Sequence, residues 1–84
     1  MPDRLETSLR VVGAKQTLKA IQAEQAEVVY LARDADEHVT GPVRAECLSK
    51  GIETVEVETM AELGRACSIE VGAAVAGVMK SKKI

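Results

Sequence analysis

Histidine and cysteine are scarce in this chain, which has one histidine, His38, and two cysteines, Cys47 and Cys67. The cysteines lie twenty positions apart and form no C-x-x-C pair, so neither a zinc site nor a disulfide framework is expected. Each cysteine has apolar neighbours in or at the end of a predicted helix, which favours a small buried thiol over a reactive one. We therefore expect no metal site, no cofactor and no catalytic residue.

Long apolar runs are also missing, and the longest falls far below the roughly 20 residues that a transmembrane helix needs. Residues 1–4 (MPDR) are charged and no apolar stretch follows them, so no targeting segment is predicted and a cytoplasmic location is expected. Hydrophobic residues make up 46% of the chain and both charge signs are interspersed, which excludes a disordered chain. The 84 residues are expected to form a single domain, 1–84, with a small core.

An excess of lysine and arginine is absent as well, because the formal net charge is -2. This charge argues against nucleic-acid binding by bulk electrostatics alone. The distribution of charge can still outweigh the total. Acidic residues crowd positions 53–62, whereas Arg10, Lys15, Lys19 and Arg33 come from segments that can meet elsewhere.

Helical and extended patterns alternate along the chain. Helices are predicted over residues 3–10, 14–24, from near Pro42 to Gly51, and 60–66, and strands over 10–12, 28–32, 53–57 and 73–79. Such alternation predicts a three-layer α/β/α sandwich around a four-stranded mixed sheet.

Local signals set several of these boundaries. Residues 59–62 (TMAE) match a capping box that begins a helix at Met60. In the preceding helix, Gly41-Pro42 places the regular start near Pro42, and Gly51 ends it. The apolar residues expected to face the core from that helix are Val39, Val43, Cys47 and Leu48.

The predicted helix after Gly13 carries two lysines, Lys15 and Lys19, in its first turns, the end of a helix at which positive charges are unfavourable. A helix N-terminus carries a partial positive charge and unpaired amides, so lysines there cost from a few tenths to about 1 kcal/mol. A bound anion would reverse that penalty, because amides and ammonium groups would converge on one negative ligand. Surface lysines that are merely solvated are the alternative, and the residues alone leave both open.

The polar residues of this helix share one side. Core-facing positions are expected at Ala14, Leu18 and Ile21, which leaves Lys15, Gln16 and Lys19 together on an arc of about 100°. These three side chains can therefore reach one ligand.

The segment 67–72 (CSIEVG) is a predicted loop that carries two β-branched apolar residues, Ile69 and Val71. Loops that expose apolar groups often bind a partner. If this loop shares an end of the sheet with the Gly13 turn, phosphate would meet the amides and lysines while an unpaired base would meet Ile69 and Val71. The alternative is that both residues begin the last strand and point into the core.

Three segments in order, 13–19 (GAKQTLK), 32–36 (ARDAD) and 63–74 (LGRACSIEVGAA), give the chain a clear likeness over nearly its whole length. The chain resembles the kink-turn RNA-binding proteins of the ribosomal protein L-seven-Ae and L-thirty-e type, and most closely their small bacterial YbxF-like members. The resemblance implies an α/β/α sandwich that binds and stabilises a kink-turn, a sharply bent helix-bulge-helix RNA with sheared G·A pairs.

The same resemblance implies roles for particular residues. The RNA-binding residues would be Gly13, by close approach of its backbone; Lys15, Gln16 and Lys19, in the groove; Arg33, on a phosphate; and Ile69, Glu70 and Val71, against loop nucleotides. Archaeal and eukaryotic ribosomal members usually have Asn-Glu where this chain has Lys15-Gln16, so individual base contacts are not carried over. The implied partner is a structured RNA, with the ribosome as one candidate setting. No membrane partner is expected, and the protein itself is expected to be a monomer.

Two other functions compete with RNA binding. An enzyme or binder of a small phosphate-bearing ligand could use the Gly13 turn, but there is no Walker-type glycine run, no metal-ligand cluster and no serine in a nucleophile setting. A protein-interaction module could use Ile69 and Val71 without any RNA.

Overall fold

The computed structural model describes residues 10–67, 69 and 71–79. The strands are β1 (Arg10–Val12), β2 (Ala26–Ala32), β3 (Glu53–Val57) and β4 (Val75–Met79), and the helices are α1 (Ala14–Gln22), α2 (Glu37–Lys50) and α3 (Met60–Ala66). The helix predicted over residues 3–10 lies outside these ranges except for Arg10, which belongs to β1. Within the described ranges, no helix combines the length and the apolar character needed to cross a bilayer.

The four strands form one sheet in the order β1-β4-β2-β3. Strand β4 runs antiparallel to both of its neighbours, whereas β2 and β3 are parallel. The predicted four-stranded mixed sheet is therefore confirmed. The alternating strand β3 lies at an edge, which suits a strand with one solvated side.

Helices cover both faces of this sheet. On one face Leu31 of β2 packs in a cluster with Ile21 of α1 and Val43 of α2. On the other face Val28 of β2 packs with Leu63 of α3. Successive residues of β2 point to opposite faces, and because both faces are covered the strand is apolar almost throughout. The three-layer sandwich follows from this double coverage.

Helix α1 lies very close to strand β4. Thr17, which is fully buried, faces Gly77, where a Cβ atom would lie 3.2 Å from the Thr17 methyl carbon Cγ2. Among the residues predicted to face the core, Ile21 is fully buried, whereas Ala14 and Leu18 are half-buried at its margin. The close approach therefore places a threonine where the apolar pattern had predicted only alanine, leucine and isoleucine.

Helix α2 begins one turn earlier than predicted, at Glu37 rather than near Pro42. The Asp36 carboxylate accepts a hydrogen bond of 2.9 Å from the backbone N–H of His38 and so caps the helix start. That bond, together with a second from the His38 ring, lowers the pKa of Asp36 below its ordinary value. The helix continues through Pro42, which removes one internal donor but leaves the capped first turn intact.

Leu48, which was expected to face the core from α2, is 79% exposed. The buried residues of this helix are Thr40, Val43 and Cys47. Leu48 follows Cys47 by one position and is therefore rotated about 100° away from the sheet. Val39 is likewise on the outer side, at 37% exposure.

Three other predicted boundaries shift by two residues, and one of them is the start of β2, which is Ala26 rather than Val28. Helix α1 ends at Gln22 rather than near Glu24, which has a positive φ of 60°. Strand β4 begins at Val75 rather than Ala73, because the N–H of Ala73 donates to the carbonyl of Met60 at 3.0 Å and is thus bonded to α3.

Both cysteines are free and buried, as the sequence predicted. Burial, and to a smaller degree the neighbouring Glu46 carboxylate, raises the pKa of Cys47. The Cys47 thiol is therefore protonated at neutral pH.

Replacing Gly64 by alanine is expected to destabilise the protein, although alanine is normally the better helix residue. The added Cβ would overlap the carbonyl oxygen of Val71 and approach Gly72 Cα to 3.1 Å. Overpacking against backbone costs about 1–3 kcal/mol. Urea unfolding would measure the loss. Gly41→Ala in α2 is the matched control, since its Cβ would meet only the Glu37 side chain at 3.6 Å; equal stability of the two variants would contradict the packing.

Gly13 and Gly51 are expected to respond differently to the same substitution, asparagine. At both positions a Cβ atom would have nothing within 4 Å, so steric contacts do not separate the variants, and asparagine at the Gly13 N-cap gains only about a few tenths of a kcal/mol over glycine. Gly51 has φ 68° and ψ 33°, a left-handed conformation that asparagine adopts readily. Gly13 has φ 104° and ψ 146°, next to a region that essentially only glycine populates, at a cost of about 1–3 kcal/mol for other residues. Thermal unfolding should therefore show the larger loss for Gly13→Asn, and the reverse order would refute the strain at Gly13.

Candidate nucleic-acid interface

Three connecting segments meet at one end of the sheet. Strands β1 and β2 run in the same direction and β4 runs in the opposite one, so the ends of β1 and β2 lie beside the start of β4. The N–H of Gly13 donates to the carbonyl of Val75 at 2.8 Å, and the N–H of Ala32 donates to that of Ala74 at 2.9 Å. The Gly13 turn and the segment before β4 therefore share one end of the sheet, as predicted, and Arg33 lies there with them.

The first turn of α1 is not capped by a side chain. Its N-cap residue is Gly13, and it contains no acidic residue. By contrast, α2 begins with the Asp36 cap and Glu37, and α3 with the Thr59 cap and Glu62. The amides of the first turn and the helix dipole thus keep their partial positive charge, which favours an anion at this position.

Lys15, Gln16 and Lys19 lie together on the exposed side of α1. The opposite side of the helix is buried by Ala20 and Ile21. This arrangement matches the shared polar face predicted from the spacing. Two ammonium groups and one side-chain amide are therefore available at the uncapped end of the helix.

Arg33 follows directly after β2 and is exposed. Its backbone N–H donates to the carbonyl of Val57 at 2.8 Å, which fixes the main chain at the end of the sheet while the guanidinium stays in solvent. In the described part of the chain, the ion pairs are formed by His38, Arg44 and Lys50 rather than by Arg33 or the two lysines of α1. Three cations thus remain available to an anionic ligand.

The apolar loop residues divide between the two interpretations of the sequence. Neither Ile69 nor Val71 belongs to β4. Ile69 is half-buried and packs against the core on the α3 side of the sheet, as the alternative interpretation held for it. Val71 is 70% exposed and is available to a partner. Glu70 lies outside the described residues.

Asp34, which the sequence did not suggest as a site residue, makes a side-chain hydrogen bond to a segment far along the chain. Its Oδ1 atom accepts a hydrogen bond of 2.8 Å from the backbone N–H of Met60, 26 positions away. An aspartate after a strand indicates a turn, but no pattern in the sequence connects it to the start of a remote helix. Only the tertiary structure identifies this contact.

The described residues contain no group of three or more histidine, cysteine or acidic side chains placed to hold a metal ion. What this end of the sheet offers is an exposed set of cations, unpaired helix amides and an apolar side chain. These groups suit a large anionic ligand that also has apolar surface.

A solved structure has the same fold. It is described as the Giardia lamblia 15.5kD RNA binding protein and superimposes with a TM-score of 0.82 at 32% sequence identity. The match covers 89% of this chain and 62% of that protein, so this chain corresponds to somewhat less than two thirds of its length.

Two bacterial proteins are similar in sequence over most of their length. RNA-binding protein TTE2299 of Caldanaerobacter subterraneus subsp. tengcongensis is 55% identical over 67 residues, which cover 80% of this chain and 82% of that protein. RNA-binding protein YbxF of Geobacillus stearothermophilus is 34% identical over 76 residues, which cover 90% and 93%. The sequence model of one protein family matches residues 3–84 of this chain. The chain belongs to the ribosomal protein L7Ae/L30e/S12e/Gadd45 family.

Proposed function

We propose that this protein binds RNA and stabilises a kink-turn through the end of the sheet formed by the Gly13 turn, Arg33 and the Val71 loop. The observation that carries the proposal is the uncapped, lysine-bearing start of α1, which the Gly13–Val75 hydrogen bond joins to the same end of the sheet as the loop of the exposed Val71. Relatives at 55% and 34% identity are named RNA-binding proteins, which supports the same class of ligand.

The physical basis is selective stabilisation of a bent RNA. A kink-turn brings phosphates of the two helical arms close together, and their repulsion opposes the bend. A protein that supplies cations and helix amides at the bend lowers the free energy of the bent state more than that of the extended state. Binding then shifts the conformational population of the RNA without any chemical step.

Each group in this arrangement has a proposed role. Gly13 lets the RNA approach the backbone closely, because it has no side chain and the space beside it is open. Lys15, Gln16 and Lys19 would enter the groove that displays the G·A pairs, with Gln16 offering both an acceptor and donors. Arg33 would contact a phosphate. Val71 would pack against an unstacked base, with Ile69 supporting it from the core side, and a role for Glu70 rests on the family resemblance alone.

A small phosphate-bearing ligand is less well matched to the structure than RNA. An open cavity of about 430 Å³ lies at the opposite end of the sheet and is lined by residues that include Glu24, Glu27 and Lys50. Carboxylates there disfavour a phosphate. The proposed function is that of an RNA-binding protein and not of an enzyme. The proposal also takes the protein to be a monomer in the cytoplasm, with the ribosome as one candidate setting.

The purified protein is expected to bend a kink-turn duplex labelled at both ends, so that fluorescence transfer between the labels rises on titration. A duplex with its G·A pairs replaced should bind about tenfold more weakly, which corresponds to about 1.4 kcal/mol. Equal affinity for the two duplexes would contradict kink-turn recognition. Absence of binding to either duplex would contradict RNA binding itself.

Lys19→Gln is expected to weaken binding to the kink-turn duplex and to reduce its salt dependence. If Lys19 neutralises one phosphate, the slope of log K against log salt should fall by about 0.7–0.9. Lys50→Gln is the matched control, because it makes the same change in net charge at the opposite end of the sheet. There the Lys50 Nζ atom lies 3.9 Å from Glu24 Oε2. Similar losses for the two variants would mean that only the total charge matters.

A further inference from the structure

The Val71 loop joins the sheet at Ala74 and Val75, and its residues before that point are bonded to helix α3. The N–H of Ile69 donates to the carbonyl of Gly64, and the N–H of Ala73 donates to that of Met60, both at 3.0 Å. Between these two bonds the backbone of Val71 packs directly against Gly64. The position of Val71 therefore depends on the position of α3.

Helix α3 has two side-chain caps of different origin. Thr59 Oγ1 accepts from the N–H of Glu62 at 3.1 Å, a bond within the start of the helix itself. Asp34 Oδ1 accepts from the N–H of Met60 at 2.8 Å and comes from the turn after β2. The first bond stabilises the helix wherever it lies, whereas the second also fixes the helix relative to another segment.

The residues just before Asp34 are hydrogen-bonded to β3 and to the segment just before β4. The N–H groups of Ala32 and Arg33 donate to the carbonyls of Ala74 and Val57 at 2.9 and 2.8 Å. Asp34 therefore connects this rigid end of the sheet to the Met60 N–H, and the Met60 carbonyl connects onward to the loop through Ala73. One continuous series of hydrogen bonds links the arginine of the candidate site to its apolar loop.

We propose that Asp34 is a positioning residue, which holds Val71 at the distance from the lysines of α1 at which one RNA contacts both. The inference rests on the proposed function, since it concerns the same interface. It also makes a prediction opposite in sign to simple electrostatics. Removing a carboxylate beside an anionic ligand should strengthen binding if charge alone acts, whereas loss of the positioning contact should weaken it.

Three variants of the full-length protein separate these effects: Asp34→Ala, Asp34→Asn and Thr59→Ala. Asp34→Ala and Asp34→Asn remove the same charge, but asparagine keeps an oxygen that can accept from the Met60 N–H. Thr59→Ala removes the other cap of the same helix and controls for loss of helix stability. Urea unfolding would confirm that Asp34→Ala and Thr59→Ala are comparably destabilised and remain folded under the binding conditions.

Binding to the labelled kink-turn duplex then tests the proposal. Asp34→Ala should bind about fivefold more weakly than the unmodified protein, because it alone loses a bond between two segments of the interface, a loss of about the size of one hydrogen-bonded cap. Asp34→Asn should bind at least as well as the unmodified protein, and Thr59→Ala should lie within about twofold of it. Tighter binding by Asp34→Ala, or equal losses in Asp34→Ala and Thr59→Ala, would overturn the positioning role.

Amide hydrogen exchange without RNA tests the structural part independently. Asp34→Ala should accelerate exchange at the Ala73 amide, because this amide donates to the Met60 carbonyl and Met60 has lost its bond to Asp34. Asp34→Asn should keep the slow exchange rate of the unmodified protein. Unchanged exchange at Ala73 in Asp34→Ala would overturn the inference whether or not RNA binds. Failure of the unmodified protein to prefer the kink-turn duplex would instead count against the proposed function.

Discussion

Pairing of β4 with both β1 and β2 is the constraint on which the rest of the structure depends. The strand lies between its two neighbours and runs antiparallel to each, so its first residues meet the last residues of both. The backbone bonds from Gly13 to Val75 and from Ala32 to Ala74 complete this junction. Gly77 in the same strand lets α1 approach through Thr17. The two backbone bonds join the Gly13 turn, the turn after β2 and the segment before β4 at one end of the sheet.

Sheet order also explains how an acidic protein can offer a cationic surface. The formal net charge is -2, but β1 and β3 lie at opposite edges of the sheet. The lysines of α1 follow β1, whereas the glutamates of residues 53–62 lie on β3, in the connection after it, and in the first turn of α3. One of them, Glu56, is paired with Arg44 at 2.8 Å. Separation across the sheet keeps the carboxylates away from the helix start that would receive an anion.

Much of the fold followed from local signals. The capping box at Thr59 predicted the observed start of α3, and the apolar run of β2 predicted a strand buried on both faces. Where two local signals competed, the prediction was wrong: Gly41-Pro42 suggested a late start for α2, but the Asp36 cap begins it earlier. Leu48 shows a related limit, because an apolar residue at helical spacing need not face the sheet when neighbouring positions already do.

The sequence by itself determined the alternation of helices and strands, from which the sandwich follows, and the polar face of Lys15, Gln16 and Lys19, since these depend on signals a few residues long. Tertiary structure alone decided that Val71 is exposed while Ile69 packs inward, and that Asp34 reaches Met60 across 26 positions. Such contacts join segments whose separation carries no periodic signal. The Asp34–Met60 bond forms because the parallel pairing of β2 with β3 places the ends of these two strands side by side, and a hydrogen bond acts over about 3 Å of space and not along the chain.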